Sequence, residues 1–166
     1  MSEAELLRRI IDLEKRLGRT EVQERPIAAT GIWTPTLVGS STPGTFTYGG
    51  STGGAYTRIG NRVLFNGRIQ ISAIAVAPAG NLSISGLPLV AGSVTGNISG
   101  GGEIAGLTGI TLTAGYSWLS LRILAGNTTI DIMQNGSAVA NARIQGSAVA
   151  LIGGSFELQF EGQYQL

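Results

Sequence analysis

The last eleven residues, FELQFEGQYQL, alternate apolar and polar side chains without interruption. Phe156, Leu158, Phe160, Tyr164 and Leu166 fall on one side of such a segment, and Glu157, Gln159, Glu161, Gln163 and Gln165 on the other. A period of two fits a half-buried strand and excludes an amphipathic helix. The same period runs through 62–71, where Val63, Phe65, Ile69 and Ile71 oppose Arg62, Asn66, Arg68 and Gln70. Gly60-Asn61 separates that run from 55–59, and Asn135-Gly136 separates 128–134 from 137–144; both pairs have two-residue hairpin chemistry. Segments 82–85, 94–98, 110–113 and 116–124 bring the set to about ten short strands. With no helical period among them, they predict a mainly β body over 32–166, an antiparallel β-sandwich of jelly-roll type. RIQISAIAV (68–76) and RIQGSAVAL (143–151) look alike, as a duplicated hairpin would. The seven glycines between Gly96 and Gly115 are read as close backbone packing near a symmetry axis, because a free loop of that composition is entropically expensive to order.

The first 25 residues belong to another kind of structure. They carry six acidic and six basic side chains, more than half of the charge of the chain, and only one of its 26 glycines. Ser2-Glu-Ala-Glu5 has the capping-box pattern. Leu6, Ile10, Leu13 and Leu17 then recur at spacings of four, three and four, a coiled-coil seam with Leu6 and Leu13 at d and Ile10 and Leu17 at a. Arg9 and Glu14 fall at the g and e positions that pair between neighbouring chains. RIIDLE (9–14) resembles the arginine–glutamate signature of short trimeric coiled coils, and Leu7 and Ile11 widen the apolar stripe as three strands require. A helix of sixteen residues is about 24 Å long and marginal alone in water. It must pack either on its own body or on other copies, and the Arg9/Glu14 spacing favours a homotrimer. Gly18 offers a stop and Pro26 forbids continuation. The expected organisation is a trimerisation and attachment helix in 1–25, a linker in 26–31 and the body in 32–166.

Chemistry is sparse. There is no cysteine and no histidine, which removes the usual catalytic triads and the common zinc sites. The body holds four carboxylates, so the acid pair of a glycan-cleaving enzyme is arithmetically possible; Glu157 and Glu161, both on the polar face of the last strand, are the only pair close in sequence. Asp131 has no acidic neighbours that would make a calcium site. The glycine clusters lack a phosphate-loop lysine, and the formal charge of +1 with five scattered body arginines gives no footprint for nucleic acid. The expectation is a protein without enzymatic activity, cofactor or metal. Trp33, Tyr48, Tyr56, Tyr116 and Trp118 are either a surface for host glycans or core and inter-subunit anchors. No apolar run approaches the ~18 residues of a membrane helix, and no secretory signal is visible, so synthesis in a cytosol is expected.

Trp-x-Pro-x-Leu-x-Gly (33–39), Tyr-x-Arg-Ile-Gly-Asn (56–61), Gly-Asn-Leu-x-Ile-x-Gly-Leu-Pro (80–88) and the closing Phe-x-Gly-x-Tyr (160–164) resemble modules of tailed-bacteriophage virions, found in tail-fibre tips and head fibres. The resemblance covers about residues 31–90. It implies a trimeric, β-structured fibre of the virion surface with no enzymatic activity. The charge gathered in the first 25 residues marks the helix as the mount to other virion proteins, and the neutral body is then displayed for host adhesion. A capsid-stabilising decoration protein and a glycan-cleaving spike are the alternatives the resemblance leaves open.

Overall fold

The computed structural model describes residues 2–21, 28–93 and 96–166, with helix side chains described for 3–15. Helix α1 spans Glu3–Glu21 and runs through Gly18, so the expected stop there is not used. Among the described residues no helix is long and apolar enough to cross a membrane.

Eleven strands follow: β1 (Ala28–Trp33), β2 (Thr36–Gly39), β3 (Thr45–Tyr48), β4 (Gly53–Ile59), β5 (Arg62–Val76), β6 (Leu82–Ser85), β7 (Ile98–Thr108), β8 (Trp118–Leu124), β9 (Thr129–Asn135), β10 (Ala142–Arg143) and β11 (Phe156–Gln165). All pair antiparallel in one sheet, in the order β1-β4-β5-β11-β7-β8-β9-β6-β2, with β3 beside β5 and β10 beside β9. The two-sheet, jelly-roll sandwich is thereby replaced by a single continuous sheet. Its shape follows from covalent geometry. β1 and β2 close the two ends of a nine-strand path, which laid flat would separate them by about 38 Å. Only Thr34 and Pro35 join them, and that link reaches at most about 11 Å. The sheet must curl until Trp33 and Thr36 come within that reach, giving an open half-barrel with one inner face.

That inner face is the core. Val63, Phe65, Ile69 and Ile71 of β5 and Phe156, Leu158, Phe160 and Tyr164 of β11 are all buried, as the alternation requires. Trp33 stands edge-on to Phe65 and Phe160, with ring centroids 6.0 Å apart in both cases, and its indole N–H donates to the Asn66 carbonyl at 2.9 Å. Gly54 and Gly67 lie in the same cross-strand row as Trp33 and Phe160, and a Cβ on either would run into those rings. The Tyr164 hydroxyl donates to the Leu89 carbonyl at 2.9 Å, and that of Tyr48 accepts from the Leu37 amide at 3.1 Å.

Burial raises the pKa of both phenols, because a phenolate would lose its solvation. A group with a raised folded-state pKa resists deprotonation, so its contribution to stability is complete below pH 10 and is lost as pH climbs from 10 towards the folded value. Of the four tyrosines, Tyr48 and Tyr164 are expected to ionise late, together with unfolding. Spectrophotometric titration at alkaline pH, repeated on Tyr164→Phe, measures this; four tyrosines ionising together near pH 10 with the fold intact would contradict it.

Local signals fared unevenly. Gly60-Asn61 is a two-residue hairpin loop between β4 and β5, with positive φ at Gly60 alone. Asn135-Gly136 is not a hairpin. Asn135 closes β9 opposite Trp118, its side-chain amide donates to Ser120 Oγ at 2.9 Å, and the chain returns to β9 only at Ala142. Gly136 is needed for its close approach to the Gly115 backbone. Residues 28–31, expected as linker, are strand, paired to β4. RIQISAIAV lies within β5 whereas RIQGSAVAL contains the end of β10 and a turn of 3-10 helix, so no duplicated hairpin exists. The glycines of 98–108 sit inside β7, where Gly100 and Gly102 approach the β11 backbone; the close packing expected there is internal to one sheet.

Candidate functional site

Strands β4, β5, β11 and β7 lie side by side, and their register fixes which side chains stand together on the outer face. The cross-strand row Tyr56–Phe65–Gly162–Gly102 turns its side chains inward and leaves only backbone outside. On either side of it the rows Thr57–Leu64–Gln163–Gly101 and Ala55–Asn66–Glu161–Glu103 rise outward. Between them lies an open groove of about 680 Å³ lined by these twelve residues. Three strand spacings make it about 14 Å long. The β4–β5 end is uncharged (Ala55, Thr57, Leu64, Asn66); the β11–β7 end carries Gln163, Glu161 and Glu103. The two glutamates are exposed and directly opposite one another on neighbouring strands, an arrangement that like charges disfavour by a few tenths of a kcal/mol. Neither takes part in an ion pair among the described residues. The groove therefore offers hydrogen-bond acceptors and two amides to an extended polar ligand.

The pairing of Glu103 with Glu161 was not legible in the sequence, where they stand far apart; only the β7–β11 register creates it. The pair that sequence proximity suggested, Glu157 and Glu161, is separated by four residues of one strand, about 13 Å between Cα atoms. Glu157 is also held otherwise. It accepts a hydrogen bond from the Gln159 amide and pairs with Arg68 at 2.9 Å. These two contacts, Gln159 first, draw its pKa down, the wrong direction for a general acid.

Asp131 is buried between Arg122 and Arg143, with N···O distances of 2.9 and 2.8 Å. Two guanidiniums on one carboxylate exclude a cation there, and among the described residues no three acidic side chains gather anywhere. The cluster holds β9 to β8 and β10. Asp131→Ala is expected to cost about 2 kcal/mol, because it strands two charges that are about one-third exposed and partly rescued by water. Urea unfolding would measure this, and a change under 0.5 kcal/mol would contradict it.

The five aromatic candidates do not form one surface. Trp33 is in the core, Tyr48 and Tyr56 pack against it, and the Tyr116 hydroxyl donates to the Ala140 carbonyl at 3.0 Å. Trp118 alone is more than half exposed, on β8 and outside the groove lining.

On α1 the amides of Glu5 and Leu6 donate to the Ser2 carbonyl, closing the first turn. Leu6, Ile10 and Leu13 are 47, 46 and 54 % exposed, with Leu7 and Ile11 alongside them equally bare; Arg9 and Glu14 are exposed too. The Leu17 side chain lies outside the described residues. The seam anticipated from the heptads is thus uncovered along its described length, and among the described residues the body does not cover it.

No family model matches this chain, and no curated protein does. Among solved structures it is similar to the Dettilon tailspike protein (gp208), with a TM-score of 0.65 and 24 % sequence identity over 85 % of this chain. The chain spans about a quarter of that tailspike's length. The likeness is one of fold: a mainly antiparallel β body of the kind found in a phage tailspike.

Proposed function

We propose that this chain is a non-enzymatic structural module of a phage virion, a short tail-associated spike or fibre that assembles as a homotrimer through α1 and presents its half-barrel to the host surface. The observation that carries this reading is the bare apolar stripe of α1. Half-exposed leucine and isoleucine at heptad spacing have no partner among the described residues of the body, and a helix of this length needs one. The tailspike-like fold supports the virion setting, and so do the sequence motifs shared with phage fibre modules. In this reading α1 joins the copies and contacts other virion proteins, while the outer groove supplies weak sites for surface glycan whose threefold repetition raises avidity.

The outer positions of the helix, Glu3, Glu5, Arg8, Asp12 and Lys15, are left free of the seam and suit a charged mount. Deleting residues 1–18 in an infectious phage background is expected to abolish incorporation into particles while purified truncated protein retains its β circular dichroism. Truncated protein on particles at wild-type occupancy would overturn the mount.

A second reading, a glycan-cleaving spike, is favoured by one observation: Glu103 and Glu161 face each other across β7 and β11 inside the groove. Incubating the protein with host-surface polysaccharide separates the two readings. Oligosaccharide release that disappears in Glu103→Gln and in Glu161→Gln would establish the second; no release supports the first.

A further inference from the structure

We infer that the outer face of β1, β4 and the start of β5 packs against a second copy of this chain and that this contact walls off the β4–β5 end of the groove. The inference rests on the homotrimer proposed above and adds where the bodies touch. Ile32, at 89 % exposure, is the barest large apolar side chain among the described residues of the body, and Ile59 and Leu64 are 42 and 43 % exposed. Register puts them on one face: Ile32 stands opposite Ala55, Thr30 opposite Thr57, and Thr57 opposite Leu64. The result is a patch of Thr30, Ile32, Ala55, Thr57, Ile59 and Leu64 with a single charge, Arg62 opposite Ile59, at its margin, whereas the rest of the outer face, along β11, is glutamate and glutamine. β1 is also a sheet end: it pairs only with β4, and among the described residues its other edge makes no backbone hydrogen bond. It carries no charge, no proline and no bulge, the devices that keep lone edges from pairing.

The occupant follows from the tether. Ala28 begins β1 seven residues after Glu21 ends α1, a distance of no more than about 25 Å even fully extended. Copies joined at α1 therefore hold their β1 strands close together at high effective concentration. Around a threefold axis the contact is heterologous, with the Ile32 edge of one copy against the Thr57–Leu64 side of the next. Ala55, Thr57 and Leu64 also line the groove, so the neighbour supplies a wall that a single chain lacks.

The chain has no cysteine, so one introduced thiol reports its site without background. Ile32→Cys and Ser137→Cys, the latter in an exposed loop, are labelled with a maleimide in the full-length protein, with sedimentation run in parallel. Labelling at Ile32→Cys is expected to be at least tenfold slower than at Ser137→Cys, and the two rates should converge when Leu13→Asp separates the copies. Hydrogen exchange on the unsubstituted protein guards against a cysteine that itself loosens the contact: β1 amides should be protected and should lose protection in Leu13→Asp. Equal labelling and unprotected β1 amides in a protein that sediments as a trimer would overturn the interface and leave the trimer standing. The same result in a monomer would overturn both.

Discussion

Gly102→Val is expected to prevent folding. Gly102 lies in β7 between β11 and β8, opposite Gly162 on one side and Leu121 on the other. A Cβ there would land on the Glu161 carbonyl oxygen and within 2.8 Å of the Gly162 Cα. Both are backbone atoms of β11, which is fixed in turn by ten register pairs to β5, so no rotamer change relieves the clash. Relief requires β7 to leave β11, and with it the remaining strand path to β2 loses its anchor. Backbone collisions of this kind belong to the rare substitutions that cost more than about 4 kcal/mol. Gly50→Ala is the control, since nothing lies within 4 Å of its added Cβ. Loss of near-ultraviolet dichroism and of protease resistance in the first variant alone is the expected result; a folded Gly102→Val protein would contradict the packing described here.

The same glycine shows what a sequence discloses and what it hides. Alternation identified β5 and β11 and their buried faces because inward and outward positions are a local property of each strand. Gly60-Asn61 identified a hairpin because the loop chemistry and the pairing agree. Asn135-Gly136 misled because its side chain and backbone serve distant partners, Ser120 and Gly115. Strand order is wholly non-local: no pattern announces that β11 inserts between β5 and β7, nor that two residues link the opposite ends of the sheet. A sandwich was the natural expectation for many short strands, and a curled single sheet satisfies the same alternation. The groove was hidden for the same reason, as Glu103 meets Glu161 only through register. Trp33, Tyr48 and Tyr56 join or pack against the core, Tyr56 also lining the groove, and Tyr116 anchors a loop; composition cannot distinguish such positions from a ligand surface.

Leu13→Asp is expected to separate the copies, and Asp12→Ala to leave them together. Leu13 is a d position, half exposed on the single chain and enclosed in the proposed trimer. Aspartate there would place three carboxylates around one axis, each desolvated without a partner. Such groups cost several kcal/mol apiece, more than a coil of about 29 Å has to spare. Asp12 points away from the seam, where a substitution changes stability by no more than about 0.5 kcal/mol. Sedimentation velocity across a dilution series reads both variants. A Leu13→Asp protein that associates as tightly as the unsubstituted chain would show that α1 is not the element joining the copies.

The mass of the intact protein in solution tests the central claim most directly. Native mass spectrometry or sedimentation equilibrium at micromolar concentration is predicted to return three times the 17.1 kDa of one chain. A stable species of 17.1 kDa would contradict the account, because the bare stripe of Leu6, Ile10 and Leu13 would then have no partner.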